Sequence, residues 1–457
     1  MAVKTRTEKD AMGTVQVPAD AYYGASTQRA RDNFGDSGLR FPAQFIHALA
    51  LIKQCAAHAN CELGLLPEEL AQPIAAAAQE VMDGRFADQF VVDLFQTGSG
   101  TSTNMNINEL LASRANEMIT GSRGGKTPVH PNDHVNLGQS SNDVIPTAMH
   151  LAAIIGLQKG LIPALQTLHA ALSAKALEFE NVPKIGRTHL QDAVPIYLGQ
   201  EFGGYARQIA LGLKRIATAL GSLRELALGG TAVGNGLNTH PNFAGAVIAR
   251  LKQVTGYDMQ EAVDHFEAQS ARDAAVEMSG VLKTIAVSLS KIANDIRWLG
   301  SGPRCGLGEI KIPALQPGSS IMPGKVNPVI AEAVLQIAAQ VMGNDTTIAV
   351  AGQAGNFELN VMLPVITYNL MQSIDLLAHG ADLLSHKCVA GIQADQAQCA
   401  AGLEKSLALA TYLVPHLGYD KAAAVAYKAY AQGQSIRATV LSEKLLSAAV
   451  LEKLLPS

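Results

Sequence analysis

Apolar residues recur at three- and four-residue steps along most of the chain, and strand-like alternation of apolar and polar positions is almost absent. In residues 42–82, Phe45, Ala48, Leu51, Ile52 and Cys55 fall on one face, which predicts helices with a break near Gly64-Leu65-Leu66-Pro67. A broad stripe of Leu151, Ile154, Ile155, Leu161, Leu165, Leu168 and Leu172 predicts a long helix from about Thr147 to Glu180, kinked at Pro163. A second long helix is expected over about 195–228. Residues 264–299 carry the clearest stripe, Val281, Leu282, Ile285, Leu289, Ile292, Ile296 and Leu299, with Lys283 and Lys291 off it. Two further helices are predicted at 329–350 and 357–385, and a smaller helical tail at 390–457. Helices of this length suit bundles and helices shared between subunits.

Composition adds an argument about assembly. Charged residues make up 16% of the 457, against about 25% in typical domains, so the chain has little to cover its surface with. Burial of helices against other copies of itself meets that shortage; a large monomer with a bland surface is the alternative. The formal net charge is −4 and the pI is about 6.3, with no basic run, which argues against nucleic acid or an anionic membrane as partner. Cys55, Cys61, Cys305, Cys388 and Cys399 are scattered and odd in number, as in a reducing compartment, and have no metal-ligand spacing. The start, Met1 to Asp10, has no apolar core of a signal peptide, and no run of eighteen uncharged apolar residues predicts a membrane span. A cytoplasmic location is expected.

The candidate chemistry lies in polar loops between the helices. Gly318-Ser319-Ser320-Ile321-Met322-Pro323-Gly324-Lys325-Val326-Asn327-Pro328 combines loop-forming glycines and prolines with two hydroxyls, an ammonium and an amide, a set that suits a small anion or else a solvated turn. Gln96-Thr97-Gly98-Ser99-Gly100-Thr101-Ser102-Thr103-Asn104 runs into a helix start, where free N–H groups seat a carboxylate. An ordinary N-cap needs one hydroxyl, and this loop offers five. His130-Pro131-Asn132-Asp133-His134-Val135-Asn136-Leu137-Gly138-Gln139-Ser140-Ser141-Asn142-Asp143 supplies more neutral donors, with Asp143 or Ser141 as a helix cap and His130 as a possible buried structural imidazole. Arg187-Thr188-His189-Leu190-Gln191-Asp192 places a histidine in a densely polar turn. Glu332, seven residues past Lys325, reads on sequence alone as a helix-start charge.

These motifs together resemble the fumarase/aspartase superfamily, over nearly the whole chain from Met12 to about Leu441. The loop GSSIMPGKVNP is similar to the superfamily's signature loop. Thr-His-Leu-Gln-Asp at 188–192, Gly-Gly-Thr-Ala-Val-Gly-Asn-Gly-Leu-Asn-Thr-His-Pro at 229–241 and Gly418-Tyr419-Asp420-Lys421 resemble class II fumarate hydratases, aspartases having glutamine in place of His189. Val17 to Gly24 is closer to aspartase, Ala25 to Ala30 to fumarase, and Asn235 stands where threonine is usual. The resemblance implies an all-α fold, with an N-terminal domain 1–137, a central long-helix bundle 138–389 that forms a superhelical core on tetramerisation, and a C-terminal domain 390–457. It implies a homotetramer whose sites are each assembled from three subunits, acting on a small dicarboxylate without metal or other cofactor.

It further implies site roles. Ser319 takes the C3 proton, His189 readies water with Glu332 as its carboxylate partner, and Lys325 acts with Asn327 on a substrate carboxylate. Ser99, Gly100, Thr101, Ser140, Ser141, Asn142, Thr188, Ser320 and Val326 line the substrate, with Asn104 and Asn108 in support. His130, Pro131, Asn132 and Asp133 form a peripheral dicarboxylate site, although His134 and Leu137-Gly138 depart from the usual Asp and Lys-Ser there. The implied reaction is reversible hydration of fumarate to L-malate, by anti addition through a carbanion-like intermediate. Hydration of a substituted fumarate such as mesaconate, aspartate ammonia-lyase activity, and a catalytically dead crystallin-like relative are the alternatives.

Overall fold

The protein is described by a computed structural model covering residues 4–455; Met1 to Val3, part of the start read above as leaderless, and Pro456-Ser457 lie outside the described residues. The chain opens on a hairpin, β1 (Thr5–Asp10) and β2 (Gly13–Pro18), followed by helices α1 (Ala25–Phe34), α2 (Ala43–Glu62), α3 (Glu68–Met82) and α4 (Thr101–Thr120). Next come α5 (Ser141–Gly156) and α6 (Ile162–Glu178), the antiparallel pair β3 (Pro183–Thr188) and β4 (Gln191–Tyr197), and α7 (Leu198–Leu223). A short parallel pair, β5 (Glu225–Leu226) with β6 (Gln260–Glu261), brackets α8 (Phe243–Thr255), and α9 (His265–Ser270) and α10 (Asp273–Leu299) follow. The rest comprises β7 (Ile310–Lys311), α11 (Val329–Gly352), the hairpin β8 (Gly355–Asn356) and β9 (Leu359–Asn360), α12 (Leu363–Leu383), β10 (Gln393–Ala394), α13 (Gln396–Lys405), α14 (Val414–Leu417), α15 (Tyr419–Gln432), α16 (Ile436–Ser442) and α17 (Ala448–Leu454). The fold is all-α, with five two-stranded ladders among the described residues.

The helices expected over 42–82 are α2 and α3, with the break where the pattern put it. Three expectations are corrected. Residues 191–197 are strand, so α7 starts only at Leu198: Pro195 carries no N–H, and its neighbours pair with β3 instead. The helix expected over 264–299 breaks at Ala271, which is extended (φ −91°, ψ 157°), so α9 and α10 start separately. The first residues of the 357–385 segment form the β8–β9 turn and β9, and α12 starts at Leu363. The Leu157–Leu161 stretch just before Pro163 is π-helical, a local widening that accommodates a residue without a donor. The run Ser141–Glu178 is, against the sequence expectation, long and apolar enough to cross a membrane by composition. More than half of its most apolar window is buried inside the protein, as in a core helix.

The chain divides into two compact units, Met1–Leu161 with Arg215–Thr284 and Gln340–Leu377, and Ile162–Lys214 with Ile285–Ala339 and Ala378–Ser457. In the first unit α2 packs on α3, α5 and α8, and α3 on α4. Phe45, Leu49 and Ile52 of α2, Ile74 of α3, Ile107, Leu110 and Leu111 of α4 and Met149 of α5 are buried there. Helix α1 has no cap of its own. The buried Glu109 carboxylate on α4 accepts instead from Gly24 N, Ser26 N and Thr27 N and from Thr27 Oγ1, at 2.9, 2.8, 3.0 and 2.6 Å. In the second unit the C-terminal helices enclose Leu403, Leu409, Leu413, Val425, Ile436 and Val440, and Ile185 of β3 packs into this cluster.

Candidate active site

In the first unit two of the polar segments meet. Gly100 stands in the left-handed region (φ 72°) as the residue before α4, and Ser99 Oγ lies 2.8 Å from Thr101 Oγ1. Gly98 has no room for a side chain: a Cβ there would sit 1.7 Å from the Val361 carbonyl oxygen. Helix α5 opens on a capping box, Ser140 Oγ accepting from Asn142 N at 3.2 Å and Asp143 Oδ1 from Ser140 N at 2.9 Å. Ser140, rather than Asp143 or Ser141, is therefore the cap, with Asp143 as its reciprocal partner. The other Asp143 oxygen accepts from Gly229 N and Thr231 N at 3.1 and 3.0 Å, and Asn142 Nδ2 donates to Ala232 O at 2.8 Å. The glycine-rich loop after residue 228 is thus tied to the Ser140–Asn142 donors.

Below them lies a buried polar network with Asn136 at its centre. Asn136 Oδ1 accepts from Lys53 Nζ at 2.9 Å and from Asn104 Nδ2 and Asn108 Nδ2, both at 3.1 Å; Asn104 Nδ2 also reaches Ser141 Oγ at 3.1 Å. Asn104 and Asn108 thereby connect the α4 loop to the α5 donors. Sequence reasoning passed over Lys53, which is fully buried and whose ammonium burial pushes down to about 7, with Asp143 as the opposing charge. Asp143 is also fully buried, and loss of hydration raises its carboxyl to about 6 against the pull of its backbone donors and Lys53. Lys53 shares a helix face with Leu49, Ala56 and Ala57, and a charge inside that apolar stripe was the available signal.

Pro131–Val135 is a π-helical turn, with His130 extended before it. His130 Nδ1 accepts from Asn132 N and Asp133 N at 3.1 and 3.2 Å, so the imidazole is a cap whose Nδ1 carries no proton, and burial lowers its pKa. His134 accepts from His130 N at 2.9 Å, giving this departure from the usual aspartate a structural use. Pro131 is buried, while Asn132 and Asp133 are exposed.

In the second unit the signature loop is closed on itself. Gly318 N donates to Lys325 O at 2.8 Å and Asn327 Nδ2 to Gly318 O at 2.6 Å, so this amide is engaged within the loop. Ser319 Oγ accepts from Ile321 N and Met322 N at 3.2 and 3.0 Å. Ser320, Lys325 and Val326 are exposed. Lys325, Val326, Asn327 and Glu332 line a cleft of about 620 Å³ together with Arg297 and Lys311. Glu332 stands in the first turn of α11.

Thr188 and His189 end β3 and begin its turn into β4, a hairpin that the apolar pattern did not reveal. Both are exposed, and among the described residues His189 makes no hydrogen bond within the chain, to Glu332 or to any other group.

Three kinds of relative match this sequence and fold. The family profile described as "Lyase" matches residues 13–343, and one described as "Fumarase C C-terminus" matches residues 409–456. Among curated proteins, the class II fumarate hydratase of Nitrosomonas europaea is 57% identical over 93% of this chain and 92% of its own length. That of Thermosynechococcus vestitus is 52% identical over 98% and 96%. Among solved structures, the recombinant class II fumarase of Schistosoma mansoni superposes with a TM-score of 0.95 at 40% identity, covering 99% of this chain and 98% of its own.

Proposed function

The chain belongs to the class II fumarate hydratase family of lyases, and from that premise we propose that it hydrates fumarate reversibly to L-malate, by anti addition of water through a carbanion-like intermediate. The observation that carries the proton-transfer half of this reading is the seat of Ser319 Oγ on two backbone N–H groups. Donors aimed at a hydroxyl stabilise its alkoxide, the form that can take a proton from a weak carbon acid. The lysine of the same loop adds positive charge.

In this reading His189 deprotonates the attacking water, with Glu332 from another copy of the chain as its partner. Its lack of partners within one chain fits a homotetramer whose sites draw on three subunits. Ser99, Gly100, Thr101, Ser140, Ser141, Asn142, Thr188, Ser320, Lys325, Val326 and Asn327 hold the dicarboxylate. Most of the barrier reduction comes from donors around the carboxylate that carries the developing charge, each worth about 3–4 kcal/mol. His130, Pro131, Asn132 and Asp133 serve as a peripheral dicarboxylate site, and the enzyme works in the cytoplasm.

The test is a kinetic screen of fumarate, L-malate, L-aspartate and mesaconate by the absorbance of the conjugated double bond, with His189→Asn alongside. Fumarate and malate are expected to turn over fastest and the variant to lose about 10²–10⁴-fold. Faster turnover of aspartate or mesaconate overturns the substrate, and unimpaired hydration by His189→Asn overturns the water-side base.

A further inference from the structure

The tip of the β3–β4 hairpin is held in a conformation its residues do not favour. His189 and Leu190 both have positive φ, 56° and 59°, the φ pair of a type I′ turn, which Asn-Gly adopts readily and bulky residues resist. Within one chain nothing at the tip compensates, since Leu190 is 67% exposed and His189 is exposed and without a hydrogen-bond partner among the described residues. The restraint lies one step down the ladder, where Arg187 pairs in register with Asp192 and Thr188 with Gln191.

Arg187 donates from Nη1 and Nη2 to the two oxygens of Glu309, at 3.0 and 2.8 Å. Glu309 is 1% exposed. It is held in turn by Lys184 Nζ, fully buried, at 3.0 Å from its Oε2 and 2.8 Å from Glu201 Oε1. Two cations and two anions close a neutral cluster under the hairpin. A register shift between Ile185 and Arg187, at Gly186, where a Cβ would lie 2.8 Å from Val194 O, turns the strand just before the guanidinium. A planar fork on a carboxylate fixes direction as well as distance, which a lysine ammonium does not.

We propose that the Arg187–Glu309 pair is a positioning device for His189: by gripping β3 two residues before the imidazole, it holds the His189–Leu190 turn in its left-handed form and fixes where the ring is presented. Arg187 and Glu309 touch no substrate in this account. It rests on the reading of His189 as the water-side base.

The test uses the full chain carrying Arg187→Lys, which keeps the charge and loses the fork, and Glu309→Gln as a second variant. Each is expected to lower kcat about tenfold or more, as a small misplacement of a reacting group does, while KM stays within about twofold. A crystal structure of Arg187→Lys is expected to show residues 188–191 displaced. In a His189→Asn background Arg187→Lys is expected to cost nothing further. Full kcat with an unmoved tip overturns the proposal, and so does an equal loss in both backgrounds, which would mean Arg187 acts elsewhere. If His189→Asn alone hydrates normally, the base reading falls, and the tip's position in the Arg187→Lys crystal decides the clamp by itself.

Discussion

Replacing Asp143 by asparagine separates the electrostatic cost of this buried carboxylate from its hydrogen bonds. In the folded chain burial moves the carboxyl from 3.8 to about 6. That displacement withholds about 3 kcal/mol from stability whenever the group is ionised in the fold. The sign follows from proton counting. Between pH 3.8 and about 6 the folded chain holds a proton that the unfolded chain releases, so the withheld stability is recovered as pH falls through the window. Asparagine does not titrate. It also leaves either Ser140 N alone or Gly229 N and Thr231 N together facing an amide NH₂, a loss of about 1–3 kcal/mol for the single donor that is the same at every pH. Lys53, the charge opposed to Asp143, is more costly to protonate once the carboxylate is gone, which works in the same direction as pH falls. Wild type should therefore gain on Asp143→Asn by about 2 kcal/mol between pH 7.5 and pH 4. For 457 residues the unfolding entropy is roughly 1 kcal/mol per degree, so the difference in thermal midpoint widens by about 2 °C. Paired melts across that range measure it, with other carboxylates cancelling in the difference. A midpoint difference that stays constant with pH, or narrows as pH falls, refutes the reasoning.

Ser319→Ala should lower kcat by about a hundredfold or more while leaving the thermal midpoint unchanged, because Ile321 and Met322 lie exposed and water can replace the lost acceptor; an active variant in the fumarate assay removes the C3 base. Gly98→Ala should lower both stability and activity, since the new methyl group meets the Val361 carbonyl and must displace the Ser99–Thr101 loop; melting and kinetics check it, and wild-type values in both would show that the loop has slack. Glu109→Gln should cost about 2–3 kcal/mol, as one of four donors is left opposite an NH₂; a thermal midpoint within about 1 °C of wild type contradicts this.

Much of this arrangement was legible from residue order alone. The α2 stripe of Phe45, Ala48, Leu51, Ile52 and Cys55 marks a buried face because a helix repeats every 3.6 residues, and the hydroxyls before α5 announce its start through cap chemistry, whereas α4 starts after Gly100 with no side-chain cap. What escaped was held by contacts distant in sequence. The β3–β4 hairpin has no clean alternation: Lys184 is buried through ion pairs and the turn residues are His and Leu instead of Asn and Gly. Asn136 reads as an ordinary polar residue until Lys53, Asn104, Asn108 and Gln139 are brought around it. His189 and the signature loop were named through resemblance, and their own geometry, an exposed turn and a self-closed loop, announces no partner within one chain.

The carboxylate of Glu109 bears on how the chain comes to be folded during synthesis. The N–H groups it serves, on Gly24, Ser26 and Thr27, precede it by 85, 83 and 82 residues. A ten-residue helix with no local cap is marginal in water. As the chain leaves the ribosome, β1 and β2 can pair at once across their short turn, but α1 must wait, unsettled, until the middle of α4 has emerged and docked. Helix α1 therefore sets only with α4, although it precedes α2, α3 and α4 in the chain.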